Sequence, residues 1–102
     1  MIDFAALRDL HIWRVRNFPD ADADQQLLGM IEELGELAHA NLKQKQGIRE
    51  KSAADEQDAI GDMLIYCQGY CAYRGWNMAQ IFERTAEQVM QRDWVKNPKD
   101  GS

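Results

Sequence analysis

Two acidic stripes carry the residues best suited to chemistry. Glu32, Glu33 and Glu36 lie in the run Glu32-Glu33-Leu34-Gly35-Glu36. At about 100° per residue in a helix they cover one sector about 100° wide. Asp55, Asp58 and Asp62 follow at i, i+3, i+7 and share a sector about 60° wide, which Tyr66 and Gly69 continue. Leu27, Ile31, Leu34 and Ala38 oppose the first stripe; Ile60, Leu64, Cys67 and Cys71 oppose the second. Either stripe alone reads first as a solvated face. Consecutive helices joined by a short loop pack antiparallel, however, and carboxylates gathered into one cleft repel unless protonated or bound to cations. Hard divalent cations with oxygen ligands suit such a set. A cation there can neutralise phosphate charge and orient water, and a neighbouring free carboxylate can act as general base. The expected reaction class is hydrolysis of a phosphoanhydride.

The bulk properties narrow the setting. The chain has 102 residues, 45% of them hydrophobic and 28% charged, which suits a single domain spanning 1–102. A net charge of −5 argues against a nucleic-acid polymer as partner, which needs a basic footprint. It leaves room for a free nucleotide arriving with its own magnesium. The sequence has no apolar run of membrane-spanning length, and Asp3, Arg8 and Asp9 break any signal-like start, so a cytoplasmic location is expected. Cys67 and Cys71, spaced i, i+4, read as small buried hydrophobes.

Four helices must position these residues. The first is expected from Asp3, as N-cap, to Phe18, with Phe4, Leu7, His11, Val15 and Phe18 on one stripe. Pro19 and the alternating Asp20-Ala21-Asp22-Ala23-Asp24 interrupt it. The second runs from about Asp22 to Gln44, with Gly47 at its exit; the third runs from about Ser52, a candidate N-cap, to Arg74, with Gly75 as its C-terminal cap. Asn77 with Gln80 resembles a capping box for the fourth, whose expected buried stripe is Met78, Ile81, Phe82, Thr85 and Val89. The fold class is therefore all-α. Met63-Leu64-Ile65-Tyr66 makes the third helix apolar on more than one side, so the bundle is expected to be completed by oligomerisation, as a homodimer or homotetramer.

Glu33-Leu34-Gly35-Glu36-Leu37, followed by Gly61-Asp62-Met63-Leu64-Ile65-Tyr66, resembles the MazG-like branch of the all-α nucleoside triphosphate pyrophosphohydrolases, over most of the chain. The resemblance implies magnesium-dependent hydrolysis of a (deoxy)nucleoside triphosphate to monophosphate and pyrophosphate, with manganese as a substitute metal and nucleotide-pool house-cleaning as the role. It makes Glu32 and Glu33 catalytic carboxylates, and Glu33, Glu36, Asp58 and Asp62 metal ligands. The family's second pair is usually Glu-x-x-Asp, and here Ala59 stands three before Asp62. Asp58 replaces that glutamate, or Asp55-x-x-Asp58 forms the pair in a shifted register. The resemblance also makes His11 a nucleobase contact, with Trp13 available for base stacking or a subunit interface. It brings Arg92, Lys96 and Asn97 of the tail toward phosphate.

Two rival functions use the same residues. Glu36-Leu37-Ala38-His39 is an ExxH, the element of carboxylate-bridged di-iron or di-manganese bundles, although His39 points about 60° away from Glu36. A non-enzymatic helical dimerisation module would leave both acidic stripes solvated. The same segments also have bland readings, His11 as a satisfied core histidine and the tail as a solvated end.

Overall fold

The computed structural model describes residues 3–48 and 53–102. These residues form four helices: α1 (Phe4–Asn17), α2 (Ala23–Lys45), α3 (Ala53–Tyr73) and α4 (Met78–Met90). Among the described residues there is no strand, and no helix is long and apolar enough to cross a membrane.

Short polar side chains start the helices where the sequence predicts. Asp3, Asp22 and Asn77 have extended backbone, and their side chains accept from the amides of Ala6 (2.8 Å), Gln25 (2.9 Å) and Gln80 (2.9 Å). Each satisfies one amide that the first helical turn leaves open. Glycine ends α2 and α3. Gly47 (φ 71°) and Gly75 (φ 74°) turn left-handed, and the next residues donate back, Ile48 N to Lys43 O (3.1 Å) and Trp76 N to Cys71 O (2.9 Å). This is the Schellman closure. The expected N-cap of α3, Ser52, lies outside the described residues.

α2 and α3 form the main hairpin; α1 packs on α3, and α4 touches α3 near its start. Gln26 lies against Gly69 and Gly29 against Tyr66, so α2 and α3 run antiparallel. A Cβ on Gly29 would come within 2.5 Å of the Tyr66 ring, so the two helices approach closely there because this position has no side chain.

The chain does not close a bundle by itself. Its radius of gyration is 17.1 Å, against about 13 Å for a compact domain of this length. The buried hydrophobic residues among those described are Leu7, Ala59 and Cys71. The stripes expected to be buried stand open instead. Leu27, Ile31 and Leu34 of α2, Ile60 and Leu64 of α3, and Val15 and Phe18 of α1 are exposed. Of the stripe expected in α4, Phe82 (75%), Thr85 and Val89 are exposed and Met78 and Ile81 are half-buried. The α2 face that meets α3 is mixed, with Gln26, Gly29 and Glu33, while its purely apolar face is turned outward. The cysteines are free, Cys71 buried and Cys67 partly so; burial and the neighbouring Cys67 push the Cys71 thiol up.

Candidate functional site

The carboxylates of Glu32, Glu33 and Glu36 each offer an oxygen within 4.8 Å of the others. One turn of α2 supplies all three, Glu36 stacking over Glu32 and Glu33 at i+4 and i+3. Asp62 of α3 acts on Glu33 across the helix seam. Partial desolvation of Glu33, then the charges of Glu36 and Asp62, a hydrogen bond with Glu36 and the charge of Glu32 hold its carboxyl above the usual range. Each of these neighbours favours the protonated form, so negative charge is crowded at this point of the seam. An oxygen-only donor set that crowded fits a hard divalent cation.

The seam also locates the departure at position 59. Glu33 faces Asp62 in the same antiparallel register that sets Gly29 against Tyr66. One turn further along, that register brings Ala59 opposite Glu36, and Ala59 is buried. A small apolar side chain therefore occupies the seam where the resemblance expects a glutamate. Asp58 is exposed one residue away, and neither it nor Asp62 joins the close-set group of three. His39 is exposed and also stands outside that group.

A second polar centre lies where α1 crosses α3, and pattern reasoning missed it. Arg14, Gln26 and Gln68 are 3%, 5% and 6% exposed, more deeply buried than any large apolar side chain described, Leu7 included. Arg14 Nη2 donates to Ile65 O (2.9 Å) and to Gln68 Oε1 (2.7 Å), and Arg14 Nη1 meets His11 Nδ1 at 2.7 Å. Gln68 Nε2 donates to Leu7 O (3.2 Å). Gly69 makes room for the guanidinium: a Cβ there would lie 2.9 Å from Arg14 Cζ and Nε, and closer still to Gln26 Oε1. Hydrogen bonding to neutral acceptors is what makes a buried guanidinium tolerable, and burial lowers its pKa. The available signal was Arg14 three residues after His11, flanking the apolar stripe, with glutamines on both other helices.

His11 stands at the edge of this centre and lines a groove of about 400 Å³ together with Arg8, Ile12, Ala72, Trp76 and Asn77. Its ring packs edge-on against Tyr73, with centroids 4.8 Å apart. Trp76 is held at the groove by Tyr70 (6.2 Å, edge-on) and by Arg74, whose guanidinium lies 5.1 Å from its ring. Trp13 points elsewhere on α1, exposed and edge-on to Phe18 at 5.8 Å, so His11 and Trp13 are not brought together. The groove borders Gln68, about 9 Å along the axis of α3 from Asp62.

The tail folds on itself. Asp93 Oδ1 accepts from Lys96 N (2.8 Å), Asp93 N donates to Gly101 O (2.8 Å), and Asn97 Nδ2 donates to Ser102 O. Trp94 packs on Gly101, and the Arg92 guanidinium lies 6.0 Å from its ring centroid. Arg92 and Lys96 are exposed and Asn97 half-buried. Compared with known proteins, the chain matches no family model, no curated protein and no solved structure.

Proposed function

We propose that this chain is a magnesium-dependent nucleoside triphosphate pyrophosphohydrolase acting in the cytoplasm on the nucleotide pool. The observation that carries the proposal is the crowding of Glu32, Glu33 and Glu36, with Asp62 facing Glu33 from the next helix. Glu33, Glu36 and Asp62, with Asp58 beside the seam, would hold magnesium or manganese. Bound there, the metal supplies charge neutralisation for the phosphates. Glu32 is exposed at the edge of the group, free to take the proton of an attacking water. Water adds at the α-phosphorus, the bond from it to the bridging oxygen breaks, and pyrophosphate leaves with that oxygen. The base lies toward the His11 groove, and Arg92, Lys96 and Asn97 are the tail's candidates for phosphate contact.

The acting unit is a homodimer or homotetramer that follows the MazG-like pattern. Its support is the outward face of Leu28 (64% exposed), Ile31 and Leu34, with Ile60 and Leu64 beside it, too much apolar surface for one chain to leave in water. Trp13 belongs to such an interface better than to the base, since it stands apart from the groove.

A panel of nucleoside triphosphates with magnesium, analysed for released pyrophosphate, tests the activity. Glu36→Gln is expected to abolish turnover with the helical content unchanged, because it keeps shape and removes a ligand charge. Release of inorganic phosphate alone, or near-normal turnover in Glu36→Gln, would overturn the assignment.

A further inference from the structure

We infer that Arg14 is a positioning residue that locks His11 in one neutral tautomer, with Nδ1 bare and the Nε2–H presented to the groove, so that the groove takes a ligand's acceptor atom. The first half follows from donor counting. A guanidinium has only N–H donors and stays protonated at any ordinary pH. The 2.7 Å approach of Arg14 Nη1 to His11 Nδ1 is a hydrogen bond only if Nδ1 supplies a lone pair. A proton on Nδ1 would set two donors and two positive charges against each other. Arg14 cannot swing away, because Ile65 O and Gln68 Oε1 hold its other terminal nitrogen and Gly69 and Gln26 close the space behind it.

The groups around His11 reinforce this. Arg8 on its own helix is a second cation at the groove, Tyr73 packs on the ring from α3, and Asn77 and Met78 at the start of α4 carry no charge. Desolvation first, then Arg14, holds the imidazole below its ordinary pKa, in the neutral form. A neutral imidazole with Nδ1 occupied as acceptor has one polar offering left, the Nε2–H. Its complement is a carbonyl oxygen or an unprotonated ring nitrogen, carried on a flat body that suits Trp76. This ligand half rests on the nucleotide function proposed above, where it means that the groove reads an acceptor edge of the base; the tautomer half stands without it.

The test is ¹⁵N NMR of the histidine rings in the full chain, with His39, the other of the two histidines, as an exposed internal reference. At pH 7 His11 is expected to show a bare Nδ1 and a protonated Nε2, and to take up a proton only below the ordinary imidazole value of 6.5. An Nδ1–H ring, or a charged one, at pH 7 in the unmutated protein overturns the inference whether or not any variant folds. Arg14→Lys, which keeps a donor and the charge, should retain the bare Nδ1, whereas Arg14→Met should mix the tautomers and raise the pKa. Equal spectra for the lysine and methionine variants would contradict Arg14 as the cause. The ligand half uses nucleoside triphosphates with a non-hydrolysable α,β-methylene bridge plus magnesium. Binding should move the Nε2 resonance with Nδ1 still bare, and His11→Phe should weaken it about tenfold. Binding that protonates Nδ1 overturns the acceptor half. Failure of every nucleotide to bind, with the tautomer as expected, removes the nucleotide function and the acceptor half together and leaves the role of Arg14 intact.

Discussion

Gly69→Ala is expected to destabilise this protein, against the ordinary sign of a glycine-to-alanine change inside a helix. By intrinsic propensity alone the change should stabilise α3 by about 0.8–1 kcal/mol. Here the new methyl would lie 2.9 Å from Arg14 Cζ and Nε and nearer to Gln26 Oε1. Both side chains have flexible ends, but both are buried, and Arg14 is tied at 2.7–2.9 Å to His11, Ile65 and Gln68. If the helices shift to accommodate the methyl, overpacking costs about 1–3 kcal/mol. If Arg14 is pushed off its acceptors, each lost charged hydrogen bond costs about 1.5–3 kcal/mol. Set against the propensity gain, either route taken alone leaves a net loss of up to about 2 kcal/mol. Gly35 supplies the control, since a Cβ there meets nothing within 4 Å and Gly35→Ala should follow propensity and stabilise. Urea unfolding by far-UV circular dichroism, at one fixed protomer concentration, reads both. Stabilisation of Gly69→Ala to the same extent as Gly35→Ala would show that the guanidinium does not occupy the space beside Gly69.

Other outcomes follow from the same geometry. Glu33→Gln is expected to raise Tm at pH 7 without magnesium. The fold binds that proton more tightly than the unfolded chain does, so ionised Glu33 opposes folding, and the difference should vanish below the ordinary value of 4.5; an unchanged or lower Tm at pH 7 contradicts it. His11 works in the opposite direction: with its pKa lowered in the fold, stability should be full above the ordinary value of 6.5 and decline as pH falls through and below it. Urea midpoints from pH 8 to 5 should show that slope flattened in His11→Phe. Ala59→Glu adds a long acid at a buried seam position opposite Glu36 and should cost about 1–3 kcal/mol without metal. Millimolar magnesium should recover part of that loss, and no recovery would count against a cation at the seam.

The helices were legible because their signals are local. Asp3, Asp22 and Asn77 cap through contacts three residues away, and Gly47 and Gly75 end helices by a backbone conformation that glycine adopts freely. An approach of the two acidic stripes was legible as an expectation from an antiparallel hairpin, but which carboxylates meet, Glu33 and Asp62, depends on the register. Burial was not legible, for a physical reason. Apolar periodicity says which face avoids water, and Leu27, Ile31 and Leu34 do share such a face. It does not say whether the same chain or another copy covers that face, and here the chain leaves it open.

The residues that replace the expected core are Arg14, Gln26 and Gln68, which hydropathy assigns to the surface. Their burial depends on complementarity among three helices distant in sequence. Arg14 finds Ile65 and Gln68 more than fifty residues away, and Gly69 leaves the gap that Arg14 and Gln26 fill. A leucine at position 14 would fill less of the space and would leave the Gln68 and Ile65 oxygens without that donor, so an apolar swap there is not neutral. The polar centre thereby fixes one crossing of α1 on α3, where apolar contact alone would allow the helices to slide. Because His11 stands three residues from Arg14 on the same helix, fixing that crossing also fixes the imidazole at the groove. The carboxylate group on the seam is held differently: Glu32, Glu33 and Glu36 share one turn of α2, with a hydrogen bond between Glu33 and Glu36 set against the repulsion of their charges. Under the proposed function a bound cation would offset that repulsion, whereas the groove is shaped by side chains of the fold itself.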